Sequence, residues 1–294
     1  MPTSFALDLP TGPGPHAAIV GLHPADDRSK DHYLFLHLAK VLPPRGIAVA
    51  RFDRRGDDIP LDEQVADVMA VVGQLESRPE IDRTRIGLWG FSQGAWVAPL
   101  AASRSTRIAF LVLVASTGVS PSEQMLYGVA RHVRDAGYPE NAVQGVVTTR
   151  QTVDAWRRGR VSLETAQRAV DDLAGHPWFE HAYLPRDLSR AGEWADMDFD
   201  PAPIYAQVRV PTLLFYGEDD LWSPIDASVA AWERAAERAR NREVSIVRLP
   251  GTTHAPTIGG VESIDAVSPD YERALVAWLQ RVTARDTSPA PRLR

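Results

Sequence analysis

A serine flanked by glycines stands at residue 92, inside the pentapeptide Gly90-Phe91-Ser92-Gln93-Gly94. The short apolar run at 86–89 favours a buried strand before it, and the small residues at 95–102 favour a helix after it. A serine between strand and helix is typical of a nucleophile elbow, a strained turn where a side chain on either glycine would crowd the hydroxyl. The pattern predicts that Ser92 is a nucleophile.

Residues able to activate a serine follow two later strands of the sequence. A serine hydroxyl needs a base, usually a histidine, and the histidine needs an acid that orients it. Glu218, Asp219 and Asp220 follow one predicted strand, and His254 follows the next. Because parallel strands end at one edge of a sheet, we expect these side chains to converge on Ser92.

Position in the loops ranks these candidates. His254 follows the last predicted strand, which favours it as the base over the other histidines of the chain. A glycine precedes the three acids and lets the loop turn, and the third residue after it is expected to point inward. Asp220 is therefore the preferred acid, with Asp219 and then Glu218 as alternatives.

An acyl-transfer site also needs two backbone N–H donors for the negative oxygen that forms on the substrate. The first expected donor is the N–H of Gln93, at the start of the helix. The second is expected from the loop after the strand at 17–22, where Ala25 is the best placed. Pro24 has no N–H and is excluded.

Apolar periodicity places these residues on an alternating pattern of strands and helices. Buried strands are predicted at 17–22, 47–52, 86–89, 108–115, 210–217 and 244–249, with a partly exposed edge strand at 5–9. Helices are predicted at 31–42, 61–75, 225–240 and 271–282. This alternation predicts an α/β fold with a mostly parallel, doubly wound sheet.

The alternation breaks at 119–205, where helical spacing occurs without a convincing strand. We therefore predict an α/β core from 1–118 and 206–286, an inserted helical cap at 119–205, and a flexible tail at 287–294. A cap of this kind would cover the carboxyl ends of the strands. The side chains expected to line a substrate pocket there are Trp178, Phe179, Trp194, Trp222, Tyr127 and Met125.

Three stretches of the chain resemble the α/β-hydrolase fold, in its serine-hydrolase branch of acyl esterases, thioesterases and prolyl-oligopeptidase-like peptidases. Residues 49–56 are similar to the R-[FY]-D-x-R-G strand and turn of that branch. Residues 82–94 resemble its D-x-x-R-I-G-x-x-G-x-S-x-G elbow, and 211–224 resemble its P-x-L-x-x-x-G-x-x-D-x-x-x-P acid loop. The last pattern also implies that Asp220 is the acid. The chain has His23-Pro24 where many relatives have His-Gly in the oxyanion loop.

Composition narrows the classes of partner. The net charge of −6 gives no basic surface for nucleic acid or an anionic membrane, and no apolar stretch is long enough to span one. The absence of Cys excludes disulfides, Cys-ligated zinc and a thiol nucleophile. We expect a cytoplasmic protein, monomer or homodimer, that acts on a small molecule without metal or organic cofactor.

The leading functional hypothesis is a serine hydrolase that cleaves a carboxylic ester or thioester of a small, largely apolar substrate through an acyl-enzyme. Amide or peptide hydrolysis is an alternative, and so is acyl transfer or cyclisation with the same residues. A non-catalytic ligand-binding protein is the remaining alternative.

Overall fold

The computed structural model describes residues 5–56 and 59–284, and within these ranges seven strands form one sheet. The strands are β1 (Phe5–Asp8), β2 (His16–Leu22), β3 (Ile47–Phe52), β4 (Ile81–Phe91), β5 (Leu111–Val114), β6 (Thr212–Gly217) and β7 (Val244–Leu249). Their order across the sheet is β1-β3-β2-β4-β5-β6-β7. Only the β1–β3 pair is antiparallel in this order; the other pairs are parallel.

The sheet separates two groups of helices. The helices outside the long insertion are α1 (Tyr33–Val41), α2 (Leu61–Glu76), α3 (Gly94–Arg104), and, after it, α8 (Ile225–Ala239) and α9 (Pro269–Val282). Alternate residues of β6 show the arrangement, since Leu213 and Phe215 pack with α1 and α9, whereas Leu214 and Tyr216 pack with α2, α3 and α8. A strand covered on both faces must be apolar throughout, which explains the continuous apolar runs of the central strands. The predicted fold class is confirmed.

The segment between β5 and β6 is helical, as its spacing predicts. It contains α4 (Pro121–Asp135), α5 (Glu140–Arg157), α6 (Leu163–Ala174) and the short α7 (Ala202–Tyr205). Two apolar clusters within it are built from its own side chains, one around Val129, Val146 and Leu173 and the other around Val153 and Val170. The domain boundaries at 118/119 and 205/206 remain a prediction, and the predicted tail at 287–294 lies outside the described residues.

The parallel pairing brings several loops to one edge of the sheet. Phe91, at the end of β4, lies beside Val114 of β5, which in turn pairs with Phe215 of β6. Gly217, the last residue of β6, pairs with Leu249, the last residue of β7. The loops after β2, β4, β6 and β7 therefore start side by side. In the described ranges, none of the helices has the length and apolar character needed to cross a bilayer.

Gly217 holds the loop after β6 against the loop after β7. A Cβ at this position would collide with backbone oxygens of Thr252 and Thr253. Backbone atoms cannot rotate aside as a long side chain can, so Gly217→Ala should lower the free energy of unfolding by about 1–3 kcal/mol. Urea unfolding followed by circular dichroism measures this change.

Gly145→Ala is the matched control, because the added methyl would meet only the Leu173 side chain at an ordinary 3.7 Å. Gly145 lies inside α5, where alanine is favoured over glycine by about 0.5–1 kcal/mol. We expect this variant to be as stable as the wild type or more so. Equal urea midpoints for Gly217→Ala and the wild type would show that the collision does not set the loop spacing.

Candidate active site

Ser92 lies on a sharp turn between β4 and α3. Its φ angle is +53°, in the left-handed region that serine rarely occupies. Two glycines make this turn possible: a Cβ at Gly90 would collide with the backbone of Gly94, and one at Gly94 would lie 2.5 Å from the carbonyl oxygen of Leu22. The Ser92 N–H donates to the carbonyl of Val114 (3.0 Å), which ties the turn to β5. Strand, turn and helix have the order that an elbow requires.

Ser92, His254 and Asp220 form one hydrogen-bonded chain across three loops, which we call the candidate triad. The hydroxyl Oγ of Ser92 lies 2.9 Å from Nε2 of His254. On the other side of the ring, Nδ1 lies 2.9 Å from Oδ2 of Asp220. The contacts join positions 34 and 162 residues apart in sequence, so the sheet edge alone brings them together.

Asp220 is the acid that faces the histidine, whereas Glu218 and Asp219 are exposed. Asp220 is 3% exposed, and its second oxygen, Oδ1, accepts hydrogen bonds from the N–H groups of Trp222 (2.7 Å) and Ser223 (3.1 Å). Burial raises the pKa of Asp220, but the facing His254 and these hydrogen bonds outweigh burial, so the pKa lies below its ordinary value. The carboxylate is therefore ionised at neutral pH.

The ionised carboxylate fixes the tautomer of His254. A carboxylate only accepts hydrogen bonds, so Nδ1 must carry a proton and donate it. In the neutral ring, Nε2 is then free to accept the hydroxyl proton of Ser92. Burial lowers the pKa of His254, but the charge of Asp220 and its hydrogen bond prevail and raise the pKa above 6.5, with a smaller contribution from Asp26.

The two residues predicted to supply backbone N–H donors lie on the wall of the same cavity as Ser92. Gln93 directly precedes α3, whose first residue packs against the end of β2. Ala25 stands three residues beyond β2, so the two amides come from adjoining segments. Preceding Ala25, His23 and Pro24 are buried, and burial followed by the charge of Arg54 lowers the pKa of His23 to about 4, which keeps it neutral.

A cavity of about 590 Å³ opens beside the candidate triad. This volume suits a small organic molecule. The inserted segment and the loops after β2, β6 and β7 all contribute to its wall. Of the six predicted pocket residues, Met125, Trp194 and Trp222 line it.

The other three predicted pocket residues lie elsewhere. Trp178 packs in the cluster between α4 and α5 and stacks on His176, with 4.5 Å between ring centroids. Phe179 packs against both clusters of the insertion and is covered by the Arg186 guanidinium. Tyr127 is two residues from Met125, about 200° around the same helix, and is not part of the cavity wall. Trp178 and Phe179 stabilise the inserted segment itself.

Several residues of the cavity wall were not among those predicted from the sequence. Pro121 and Gln124 line it together with Met125, and their spacing of three and four residues along α4 was the available signal. Tyr183 gave no such signal. It adopts φ +49°, and its ring centroid lies 4.8 Å from that of Trp222. The ring centroid of His132, which is on α4, lies 4.6 Å from that of Trp222. This aromatic group, His132, Trp222 and Tyr183, joins the Asp220 loop to the inserted segment.

The ionisable side chains on the wall, apart from its histidines and tyrosines, are acids: Asp26, Glu193, Asp196 and Glu262. No lysine or arginine lines the cavity among the described residues, and none of these four acids forms an ion pair there. Asp196 accepts a hydrogen bond from the Leu61 N–H (2.8 Å), and burial raises the pKa of its carboxyl. Acids are therefore the charged side chains that line the cavity in the part of the chain that the structure describes. In residues 5–56 and 59–284, no cluster of acids and histidines is arranged to hold a metal ion.

Asp220→Asn should lower the pKa of His254, because the amide loses the negative charge but keeps an oxygen for the Trp222 and Ser223 N–H groups. NMR titration of the histidine ring protons measures this shift, with His254→Ala used for assignment. Asp219→Asn is the control, since Asp219 is exposed. It should leave the midpoint of the His254 titration unchanged. Identical midpoints for Asp220→Asn and the wild type would contradict the coupling.

Several solved structures that are similar to this chain are named as hydrolytic enzymes, and their sequence identity to it is low. A Pyrococcus furiosus esterase is 20% identical, with a TM-score of 0.58, over 92% of this chain and 83% of that one. A proline iminopeptidase of Mycobacterium smegmatis is 17% identical, with a TM-score of 0.58, over 95% and 94%. A 2,6-dihydroxy-pseudo-oxynicotine hydrolase is 17% identical, with a TM-score of 0.59, over 95% of this chain but only 64% of its own length. At these identities the likeness shows the fold.

The sequence comparisons decide the family. No curated protein matches the chain significantly. The sequence model of the Alpha/beta hydrolase family, however, matches residues 19–266, which include the elbow, the acid loop and His254. This match supports hydrolase activity without specifying the bond that is cleaved. The chain belongs to the alpha/beta hydrolase family.

Proposed function

We propose that the protein is a serine hydrolase that cleaves a carboxylic ester of a small, largely apolar substrate through an acyl-enzyme. The observation that carries this proposal is the hydrogen-bonded chain from Ser92 through His254 to Asp220, opening on a cavity of about 590 Å³. In this proposal residues 119–205 form a cap whose helices complete the substrate pocket.

In the proposed reaction His254 acts first as a base and then as an acid in each half-reaction, while Asp220 orients it. Ser92 Oγ attacks the carbonyl carbon while Nε2 of His254 takes its proton, and the N–H groups of Gln93 and Ala25 bind the oxyanion. His254 then protonates the leaving alcohol. In the second half-reaction His254 takes a proton from a water that attacks the acyl carbon, and returns it to Ser92 Oγ as the bond to the acyl group breaks and the acid is released. Since the base must be neutral, kcat/KM should rise with pH through the raised pKa of His254.

The charge of the cavity favours neutral or cationic substrates over anionic ones. The acids that line the cavity, Asp26, Glu193 and Glu262 above all, repel a negative substrate, and no lysine or arginine lines it among the described residues. Thioesters of a phosphate-bearing carrier are polyanions, so this field favours simple esters over such thioesters. The same acids are suited to bind an amino group, which is the observation that keeps amide hydrolysis at a free amino terminus as a second candidate.

Ser92→Ala should lower the rate of p-nitrophenyl ester hydrolysis at least about 10³-fold, because the remaining groups cannot form an acyl-enzyme. Its melting temperature should stay close to that of the wild type, since His254 is the only hydrogen-bond partner of the removed oxygen among the described residues. Steady-state kinetics and thermal unfolding measure both quantities. Covalent labelling by a fluorophosphonate should disappear in parallel.

Three other results would contradict the proposal. Equal labelling of wild type and Ser92→Ala would mean that Ser92 is not an activated nucleophile, as in a binding protein. Acyl transfer to an added alcohol, or a rearranged product, in place of free acid would indicate a transferase or cyclase. Faster cleavage of an aminoacyl anilide than of every ester would make the protein an amidase.

A series of esters with the same leaving group and matched acyl chains tests the charge preference. We expect kcat/KM for an anionic acyl chain to be at least about tenfold below that for a neutral one, with the gap narrowing at high salt. Asp26→Asn combined with Glu262→Gln should narrow the gap further, whereas Asp219→Asn, outside the cavity, should not. Equal rates for anionic and neutral esters would contradict the preference.

A further inference from the structure

Arg54 is a buried cation placed behind the two proposed oxyanion donors. It follows β3 and is 4% exposed. Its guanidinium donates through Nη1 to the carbonyl of Pro24 (2.8 Å) and through Nη2 to the carbonyl of Ala25 (2.7 Å). The same Nη1 donates to the side-chain oxygen of Gln93 (2.8 Å), and Nε donates to the carbonyl of Gly56 (2.9 Å). One planar group therefore contacts both segments that supply the donors.

The contact with Pro24 orients the N–H of Ala25. The carbonyl of one residue and the N–H of the next belong to one planar, trans peptide group, in which they point in opposite directions. With the Pro24 oxygen held against Arg54, the Ala25 N–H must point to the side away from the guanidinium. Charge-assisted bonds of this kind hold geometry more firmly than neutral ones.

The contact with Gln93 restrains the other donor. Its side-chain oxygen accepts from Arg54 and also from Nε2 of Gln64 (3.1 Å), a buried residue of α2. Gln64 is fixed in turn by donation to the carbonyl of Ile59 (2.8 Å). The side chain of Gln93 thus holds in place the backbone N–H of the same residue, which is the proposed donor just before α3. The side chain itself need not touch the substrate.

We infer that Arg54 is a positioning residue for the oxyanion hole, locking the Ala25 and Gln93 amides in one geometry through its simultaneous contacts with the Pro24–Ala25 loop and the Gln93 side chain. The inference rests on the proposed function. Its consequence is specific: removing Arg54 weakens binding of the transition state more than binding of the substrate.

Arg51, on β3 and three residues before Arg54, provides a matched control. It is also a buried arginine, 8% exposed, and it donates to Asp8 (2.9 Å), Asp31 (2.7 Å) and the carbonyl of Lys30 (3.0 Å). None of these groups belongs to the proposed oxyanion hole. Arg51→Met and Arg54→Met therefore remove the same chemistry from neighbouring positions with different partners.

The experiment measures kcat and KM for a neutral p-nitrophenyl ester, together with inhibition by a trifluoromethyl ketone and by its methyl ketone analogue. For Arg54→Met we expect kcat to fall about 10- to 100-fold, below the roughly 10²–10³-fold cost of deleting a direct oxyanion donor. KM should change less than about twofold. Inhibition by the trifluoromethyl ketone, which forms a tetrahedral oxyanion adduct, should weaken by the same factor as kcat, and that by the methyl ketone should not.

Arg51→Met should keep the wild-type kcat even where its melting temperature falls. If Arg54→Met fails to fold, Arg54→Lys and Gln93→Ala replace it, with the same expected pattern of kcat and inhibitor binding. In the double variant Arg54→Lys/Gln93→Ala, kcat should fall by less than the product of the two single fold-losses, because both changes remove the same contact between Arg54 and the Gln93 side chain.

Two results would overturn the inference: a wild-type kcat in Arg54→Met or Arg54→Lys, or equal weakening of both ketones. These results are separate from failure of the proposed function. If Ser92→Ala remains active, the proposed function is wrong. If Ser92→Ala is inactive and the Arg54 variants behave as wild type, only the positioning role is wrong.

Discussion

The contact between Gly90 and Gly94 is the constraint on which the site depends. Strand β4 must end and α3 must begin within a few residues. This reversal leaves no room for a Cβ on Gly90 beside Gly94, and the end of β2 leaves none on Gly94. The residue between them takes the strain, which is why Ser92 has φ +53°. Strain at one residue costs on the order of 1–3 kcal/mol and persists only where the surroundings enforce it. Here the buried centre of the sheet supplies that enforcement.

The second requirement is a charge held where water is scarce. Burying an isolated carboxylate is costly, so a buried Asp220 needs compensation from its surroundings. The loop after β6 provides it through two backbone N–H groups, and His254 provides the rest. The gain is mutual, because the carboxylate also fixes the tautomer of the imidazole. The loops can make these contacts because β6 and β7 run in register to their last residues.

Much of this organisation could be predicted from the sequence, and its limits have physical causes. The hydrophobic periodicity and the apolar runs of a sequence indicate which residues of a strand are buried. The parallel sheet and the loops that follow its strands could therefore be predicted. The choice of Asp220 over Asp219 followed from the distance to a glycine. Trp178 and Phe179, in contrast, were expected in the pocket but pack within the insertion. The sequence could not show this, because the type of an aromatic residue does not indicate which apolar surface it will contact. Arg54 occupies the unspecified position of its motif, and its burial depends on a loop thirty residues earlier.

The two apolar clusters of the inserted segment have an evolutionary consequence. Because they are made of the segment's own side chains, substitutions within them need not disturb the packing of the sheet. The inserted residues that face the cavity, such as Met125 and Trp194, can therefore diverge while the strained turn and the ionised acid stay as they are. Selection on the shape of the cavity is in this way largely separate from selection on the turn that holds Ser92.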